Sequence, residues 1–308
     1  MKIKLSINSH DKLLSQTPGG LGVWNGHQFV VNEPAEDCDA WIIYEGLFAP
    51  EECRCPAGRV ILITGEPGEV ATYDEDWLRN FDKVRSVQAH IRHDGLSVGH
   101  LAIPWHLGRG YDFLEKNGLP EKDADISVIC SNKTMTKGHR RRIKFVDEVL
   151  KGVRMSRFGR GYAEIADKWE GLARFRYSLA IENSRHPHYW TEKISDCFLA
   201  GTVPIYWGAP NIRDYFPEDS MIVLDSLDPS EALRIIKEGV SPADYERRLP
   251  ALLHARKLVM SKYNIFELAT GMAASAEILG GRRAVALRPE HRTRLSKLVH
   301  RFRNFIRP

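Results

Sequence analysis

The sequence of 308 residues lacks several features that would assign it to a specialised class of protein. It has no run of about 18 apolar residues, so no membrane-spanning helix is predicted. Its first ten residues lack the apolar stretch of a secretory signal peptide. The five cysteines are an odd number, which argues against a disulfide framework and favours reduced thiols in the cytoplasm. The net charge of +4 is small and gathers towards the C-terminal end, so no nucleic-acid partner is expected.

The composition is typical of a globular protein with buried cores. Hydrophobic residues make up 43% of the chain and aromatic residues 9%. The length suits two domains of about 150 residues each. In the first half, short apolar segments alternate with turn-rich loops, which favours an α/β unit with a mostly parallel sheet. The elements predicted there are strands at 2–7, 28–31, 40–44, 59–63 and 101–103 and a helix at 73–81.

A second α/β unit is predicted after a polar stretch from Lys116 to Asp125, which contains glycine and proline and is the candidate linker. Apolar side chains at helical spacing predict a helix over Arg140–Leu150. The other elements predicted in this unit are strands at 126–130, 175–181, 202–207 and 221–224 and helices between about 229 and 279. The chain therefore divides into predicted domains at 1–120 and 121–285 and a C-terminal segment at 286–308.

The stretch from Phe175 to Asn211 places a cation where helix electrostatics disfavour it. Thr191 is a candidate N-cap, and Lys193 follows in the first turn of the helix, where the dipole opposes positive charge. A helix N-terminus flanked by a cation is also a good site for an anion. Lys193 can equally pair with Glu192 or point into water, so the local sequence leaves these alternatives open.

The same stretch carries the run AIENS…YWTEK…LAGTVPIYWGAPN, which resembles the signature of the α-1,3/1,4-fucosyltransferases, glycosyltransferase family 10, in its bacterial form. The resemblance implies the GT-B fold, in which two Rossmann-like domains face a cleft. It also implies an inverting transfer of L-fucose from GDP-fucose to a glycan. The positions that match are Glu182, Asn183, Ser184, Thr191, Glu192, Lys193, Gly201, Pro204 and Pro210.

Glu66 is a candidate general base. It follows the predicted strand at 59–63, and ligands of open α/β sheets bind beyond the carboxyl ends of strands. A solvated loop carboxylate is the alternative. The family carries its base in a Thr-Gly-Glu sequence at such a strand end, and Thr64-Gly65-Glu66 is similar to it. Inversion needs one carboxylate within hydrogen-bond reach of the attacking hydroxyl, because the proton of that hydroxyl must be removed.

The predicted donor site combines a basic helix start with the signature stretch. Arginine offers planar, bidentate donors to phosphate oxygens, and three arginines occur in Arg140–Arg142, with a basic surface patch as the alternative. Alignment of Phe145-Val146-Asp147 with the family's F-x-D sequence places Arg142 on its phosphate-binding arginine and leaves the other two at the surface. By the same resemblance, the remaining donor-binding residues are Glu182, Asn183, Tyr189, Glu192 and Lys193.

No metal is expected in this site, because two cations on the diphosphate make one unnecessary. The D-x-D pattern that holds a metal in GT-A glycosyltransferases occurs three times, at 37–39, 74–76 and 123–125, which shows how little it discriminates. A zinc site at Cys38, Cys53 and Cys55 lacks a fourth ligand. Weak candidates for acceptor binding are aromatic and histidine side chains assigned to loops of the N-terminal domain, with packing as the alternative: Trp24, His27, Trp105 and His106.

The segment 290–308 has an apolar face flanked by arginine and lysine, which predicts a basic amphipathic helix. Such a helix either binds an anionic membrane surface, so that the protein is peripheral on the inner membrane, or docks on the protein itself. A GlcNAc-containing lipopolysaccharide O-chain is the expected acceptor. Two other functions stay open, namely a transferase that uses another nucleotide sugar and a non-catalytic protein that binds glycans or membranes.

Overall fold

The computed structural model describes residues 1–8 and 12–290. Two compact units make up this part of the chain. Residues 1–101 and 265–290 form unit 1, and residues 102–264 form unit 2. The strands and helices have the following bounds in chain order: β1 Lys2–Ile7, β2 Val23–Trp24, β3 His27–Val31, β4 Ala40–Tyr44, β5 Glu51–Pro56, β6 Val60–Ile63, α1 Glu75–Leu78, β7 Lys83–Ser86, β8 Leu96–Val98, α2 Tyr111–Lys116, β9 Ala124–Ile129, α3 Lys137–Leu150, β10 Ser156–Phe158, α4 Lys168–Leu172, β11 Phe175–Ile181, α5 Glu192–Leu199, β12 Val203–Trp207, β13 Ile222–Val223, α6 Pro229–Gly239, α7 Pro242–Met260, α8 Ile265–Ser275 and β14 Arg282–Leu287.

Unit 1 is built on a parallel sheet, as its alternating sequence predicts. Within the described ranges its strands lie in the order β2-β3-β1-β4-β6-β7-β8, and only β2 runs antiparallel to its neighbour. The central strands β4 and β6 are buried along their whole length, which is typical of parallel sheets that are covered on both faces. A separate antiparallel pair, β5 with β14, joins Leu287 and Val285 to the core of this unit.

Unit 2 is a second parallel sheet, with the strands in the order β10-β9-β11-β12-β13 along the described chain. The chain passes from β9 to β10 on one side and then returns to β11 on the other side of β9. The gap between the carboxyl ends of β9 and β11 is therefore a topological switch point, where open α/β sheets bind their ligands. Helix α3 follows β9 and helix α5 follows β11, so both approach this point.

The predicted domain boundary at 120/121 differs from the division into units. Residues 102–120 belong to unit 2, because Trp105, Leu107 and Leu114 are buried in its core. Helix α8 and strand β14 belong to unit 1, although the sequence placed 265–285 in the second domain. Phe266 of α8 packs edge-to-face against Phe29 of β3, with ring centroids 4.8 Å apart, and this contact cannot be read from local sequence.

Three local expectations also need correction. The strand predicted at 101–103 is an irregular segment, and the helix predicted at 73–81 is limited to Glu75–Leu78. The candidate linker 116–125 lies inside unit 2, with its last residues already in β9. The predicted C-terminal segment 286–308 begins within β14 and lies outside the described residues from 291 onward. Across residues 1–8 and 12–290, no helix has the length and apolar character needed to cross a membrane.

Candidate functional site

Most of the predicted donor-binding residues come together at the switch point of unit 2. Helix α3 supplies Arg142, and the loop after β11 with the start of α5 supplies the others. The sequence predicted that α3 starts at Arg140, but the helix begins at Lys137, with Thr136 as N-cap accepting from the backbone N–H of His139. Arg142 therefore lies in the second turn of α3, while Lys193 lies in the first turn of α5.

Arg142 is buried and only 8% exposed. Its Nη1 donates to Oδ1 of Asn183 at 2.8 Å, so the two predicted donor residues bind each other through a neutral amide. The Nε of Arg142 is buried and has no hydrogen-bond partner in the described part of the chain. No carboxylate lies within 4 Å of this guanidinium in residues 1–8 and 12–290. Because an unpaired buried donor is costly, the guanidinium is equipped to receive an anion.

A glycine sets how closely α3 approaches the loop that carries Asn183. A Cβ at Gly138 would overlap the backbone carbonyl oxygen of Asn183. Gly138 lies in the first turn of α3, one turn before Arg142. The close contact of the two backbones is therefore what brings the guanidinium of Arg142 within reach of the Asn183 side chain.

Lys193 is held by carboxylates, in contrast to Arg142. Its Nζ lies 3.1 Å from Oε2 of Glu182 and 3.5 Å from Oε1 of Glu192. Thr191 caps α5 by accepting from the N–H of Lys193, and its own N–H and hydroxyl donate to Glu182 at 2.9 Å. The pairing of Lys193 with Glu192 that the sequence allowed is thus present. The second pair, with Glu182 eleven residues earlier, was not predicted.

The series of ion pairs that includes Lys193 and Glu192 continues beyond Glu192. Lys168, the first residue of α4, places Nζ 3.4 Å from Oε1 of Glu192 and 2.8 Å from Oδ2 of Asp196. The other oxygen of Asp196 accepts from the backbone N–H of His106 at 2.9 Å. Lys168 and Asp196 were missed at the sequence level, although a lysine at the first position of a helix opposes the dipole as Lys193 does.

Burial and charge pairing have opposite effects on the pKa values of these ion-paired side chains. Burial raises the pKa of Glu182, and the attraction of Lys193 only partly offsets it. Burial likewise raises the pKa of Asp196 to about 6. Burial would lower the pKa of Lys193, but Glu182 and Glu192 outweigh it and raise the pKa. Although burial acts to raise the pKa of Glu192, Lys193 and then Lys168 outweigh it and hold the pKa well below its usual value. Of the three carboxylates, Glu192 is therefore the one most firmly kept ionised.

Tyr189 and Trp190 lie in the loop between β11 and α5, and both are buried. Trp190 packs edge-to-face against Tyr215, Phe216 and Tyr263, with ring centroids 5.2 to 5.8 Å apart. An aromatic cluster of unit 2 therefore fixes the loop that leads into α5.

Glu66 lies in unit 1, directly beyond the carboxyl end of β6, as predicted. Its residue is only 8% exposed, which disfavours the alternative of a solvated loop carboxylate. The backbone around it is fixed, because Gln88 donates to the carbonyl oxygen of Glu66 at 2.8 Å and the N–H of Gly65 donates to the hydroxyl of Tyr73 at 3.2 Å. Its role as a base stays a prediction.

The four weak acceptor candidates do not share a domain. Trp24 and His27 lie in unit 1, where the indole N–H of Trp24 donates to Glu267 at 2.7 Å and Nδ1 of His27 lies 3.0 Å from the N-terminal nitrogen. Trp105 and His106 were assigned to the N-terminal domain, and this was wrong. Both belong to unit 2, because Trp105 is buried in its core and the His106 backbone binds Asp196.

The residues considered for a metal have other partners. Asp123 binds Arg174 through both carboxylate oxygens at 2.8 Å, and Asp125 pairs with Arg176 at 3.1 Å. Cys38 and Cys53 are buried with their sulfur atoms 3.4 Å apart. Within residues 1–8 and 12–290, no group of three or more histidine, cysteine or acidic side chains is arranged to hold a metal ion.

The sequence around this site is similar to that of known proteins. The family model of glycosyltransferase family 10 (fucosyltransferase), C-terminal part, matches residues 119–238. The 4-galactosyl-N-acetylglucosaminide 3-alpha-L-fucosyltransferase 9 of Bos taurus is 32% identical over 126 residues, which are 39% of this chain and 34% of the relative. The match thus spans about a third of the length of the curated relatives.

Solved structures show the same fold. A crystal structure of an alpha1,3-fucosyltransferase with GDP is similar with a TM-score of 0.51 and 17% identity, over 86% of this chain and 92% of that one. Another, with GDP-fucose, has a TM-score of 0.51 and 16% identity, over 100% and 90% of the two chains. These likenesses confirm the predicted α/β fold of GT-B type. Arg142 and the whole signature stretch lie inside residues 119–238, the segment that matches the C-terminal part of glycosyltransferase family 10, the fucosyltransferases.

Proposed function

We propose that the protein is an inverting fucosyltransferase. It transfers L-fucose from GDP-fucose to a hydroxyl of a GlcNAc-containing glycan, and the product carries an α-1,3 or α-1,4 linkage. The observation that carries the proposal is the arrangement at the switch point of unit 2. There, among the described residues, the Nε of Arg142 has no partner and no carboxylate lies within 4 Å of its guanidinium, which donates to Asn183 within a segment that matches the fucosyltransferase family.

The diphosphate of the donor suits this arrangement. Arg142 supplies an uncompensated positive charge and a free N–H, and Lys193 adds an ammonium at a helix start. As the bond between the sugar carbon and the diphosphate oxygen breaks, negative charge grows on the diphosphate. Fixed cations stabilise that charge without reorganisation. In this proposal Asn183 and Tyr189 hold the nucleotide, and Glu182 and Glu192 fix Lys193.

Glu66 acts as the general base in this proposal. An acceptor hydroxyl attacks the anomeric carbon on the face opposite the diphosphate, and its proton passes to the Glu66 carboxylate. The new bond joins the acceptor oxygen to the sugar, and GDP leaves with the electrons of the broken bond. Because the leaving group departs from one face and the nucleophile enters from the other, the β-linked donor gives an α-linked product. Glu66 is only 8% exposed, so this residue is largely sheltered from bulk water.

The acceptor in this proposal is a glycan of the lipopolysaccharide type, assembled on a lipid carrier. The support comes from the basic, amphipathic composition of 290–308, which suits attachment to an anionic bilayer. From residue 291 onward that segment lies outside the described residues, so its contribution is tested by removing it. Deletion of 291–308 should lower transfer to a lipid-linked acceptor on anionic vesicles and leave transfer to a short soluble glycan unchanged.

The donor and the base are tested together with purified protein, GDP-fucose and a glycan array. The expected products carry α-linked fucose by NMR. Glu66→Gln should reduce turnover at least about a hundredfold and keep GDP affinity. Glu69→Gln is the matched control, because Glu69 lies three residues away and is exposed.

Two outcomes would contradict the proposal. Stabilisation of the protein by UDP but not by GDP in a thermal-shift assay would favour a transferase with another nucleotide sugar. Binding of glycan without turnover of any donor would favour the non-catalytic alternative.

A further inference from the structure

The ion pairs around Lys193 form one continuous chain of alternating charge. Along it lie Asp196, Lys168, Glu192, Lys193 and Glu182, and successive charged atoms are 2.8, 3.4, 3.5 and 3.1 Å apart. The two end members are fully buried, with side chains 1% and 0% exposed. Three carboxylates thus share two ammonium groups. The proposed function gives no task to Lys168 or to its partner Asp196.

The position of Glu192 depends on both lysines. Its Oε1 lies 3.4 Å from Nζ of Lys168 and 3.5 Å from Nζ of Lys193, so the same oxygen is shared almost equally. Lys168 is itself fixed by the shorter contact of 2.8 Å to Asp196. Asp196 in turn is oriented by the His106 backbone N–H. This succession of contacts connects Glu192 to the backbone of His106, whose neighbours Trp105 and Leu107 are buried in the core of unit 2.

We propose that Lys168 is a positioning residue of the donor site, which draws the Glu192 carboxylate away from Lys193 and so keeps part of the Lys193 charge available for the diphosphate. The inference rests on the proposed function, because it assigns Lys168 an effect on the same nucleotide. Without Lys168, the one ion pair that Glu192 keeps among the described residues is that with Lys193. It then neutralises more of that charge, and the diphosphate binds more weakly.

A purely structural role makes a different prediction. Lys168 also neutralises Asp196, and a buried carboxylate left without a partner destabilises a fold. If neutralising Asp196 were the whole role of Lys168, removing the charges of Lys168 and Asp196 together would restore both stability and GDP affinity. The double variant Lys168→Met/Asp196→Asn separates the two roles, because it leaves no unpaired charge at Asp196 and still leaves Glu192 without Lys168.

The experiment measures the dissociation constant of GDP by titration calorimetry and the melting temperature, on the full chain. Lys168→Met should lower both stability and affinity. The double variant should regain the melting temperature of the wild type and keep a loss of about tenfold in affinity. Lys168→Arg should regain most of the affinity, since it preserves the charge between the two carboxylates.

Lys122→Met provides the matched control in the same unit. Lys122 is also a partly buried lysine, but it donates to the carbonyl oxygens of Ala173 and Ala200 and to the hydroxyl of Thr202. Its loss should lower the melting temperature and leave GDP affinity unchanged.

Wild-type affinity in the double variant, or an equal loss of affinity in Lys122→Met, would overturn the role of Lys168. A wild-type protein that does not bind GDP would overturn the proposed function and this inference with it.

Discussion

Arg142 and Lys193 are the two cations predicted to bind one diphosphate, yet the protein surrounds them differently. Arg142 contacts a neutral amide, and its Nε has no partner in the described residues. Lys193 lies between two carboxylates, Glu182 and Glu192. Among the described residues the charge of Arg142 thus has no carboxylate within 4 Å, while Lys193 already has two carboxylate partners, one of which it shares with Lys168.

This difference separates two tasks that the sequence assigned to both residues alike. An uncompensated buried guanidinium is unfavourable for the ligand-free fold and favourable for an anion. A lysine in a buried ion-pair chain stabilises the fold, because its carboxylate partners would otherwise be left alone. We therefore expect Arg142 to contribute to nucleotide affinity with little effect on stability, and Lys193 to contribute to both.

The largest expected effect is on the free energy of unfolding. Lys193→Met should lower it by about 3 kcal/mol, because the carboxylate of Glu182 is fully buried and loses its cation. Arg142→Met should change it by less than about 1 kcal/mol, since only one bond to an amide is lost. Denaturant unfolding measures both.

The double variant Lys193→Met/Glu182→Gln is the control for this prediction. It removes the cation and the carboxylate together and should regain most of the lost stability. A destabilisation by Arg142→Met as large as that by Lys193→Met would remove the distinction between the two cations.

A smaller effect is expected from the glycine that lets α3 approach Asn183. In Gly138→Ala the new Cβ overlaps the Asn183 carbonyl oxygen, so the helix must shift at a cost of about 1–3 kcal/mol. The shift should lengthen the bond from Arg142 to Asn183 and weaken GDP binding. Gly271→Ala is the matched control in helix α8, where the added Cβ meets nothing within 4 Å. That variant should gain up to about 1 kcal/mol from helix propensity.

The comparison also predicts a dependence on pH. The raised pKa of Glu182 means that the folded state holds its proton more strongly than the unfolded state. Its contribution to stability is thus complete below about pH 4.5 and is lost as the pH rises through the folded pKa. Removing Lys193 raises this pKa further, so the decline should extend to higher pH in Lys193→Met, by at most about 1.4 kcal/mol per pH unit. Unfolding curves of Arg142→Met should follow the wild-type pH dependence, and parallel curves for the two variants would contradict this account.

The smallest effects are expected at the two neighbouring arginines. Arg140 donates to the carbonyl oxygen of Thr134 at 2.8 Å, and the guanidinium of Arg141 lies over the ring of Trp207 at 4.7 Å; both are exposed. Arg140→Met and Arg141→Met should each change GDP affinity less than about twofold. A larger loss of GDP affinity at either position than at Arg142 would show that the phosphate-binding arginine is Arg140 or Arg141 and not Arg142.

Local signals were enough to predict much of the site. Periodicity and turn residues gave β11 and β12, the cap at Thr191 has the predicted geometry, and Glu66 lies at the end of β6. Each of these features is determined within about ten residues of sequence. The family resemblance then predicted that Arg142 and Asn183 belong to one site. The hydrogen bond between their side chains agrees with that prediction.

The features that sequence missed depend on contacts between distant segments. Lys168 contacts Glu192 because α4 packs beside α5, and no local sequence pattern predicts that packing. Trp105 belongs to unit 2 because its ring is buried in the core of that unit. Helix α8 belongs to unit 1 because its Phe266 packs against Phe29 of β3. In each case burial of a side chain against a remote segment decided the outcome.

The most direct test compares GDP with guanosine in calorimetric titrations of the wild type and Arg142→Met. If the uncompensated guanidinium binds the diphosphate, the wild type should prefer GDP strongly over guanosine. In Arg142→Met that preference should fall at least about tenfold while guanosine binding stays the same. An unchanged preference for GDP in Arg142→Met would contradict the account.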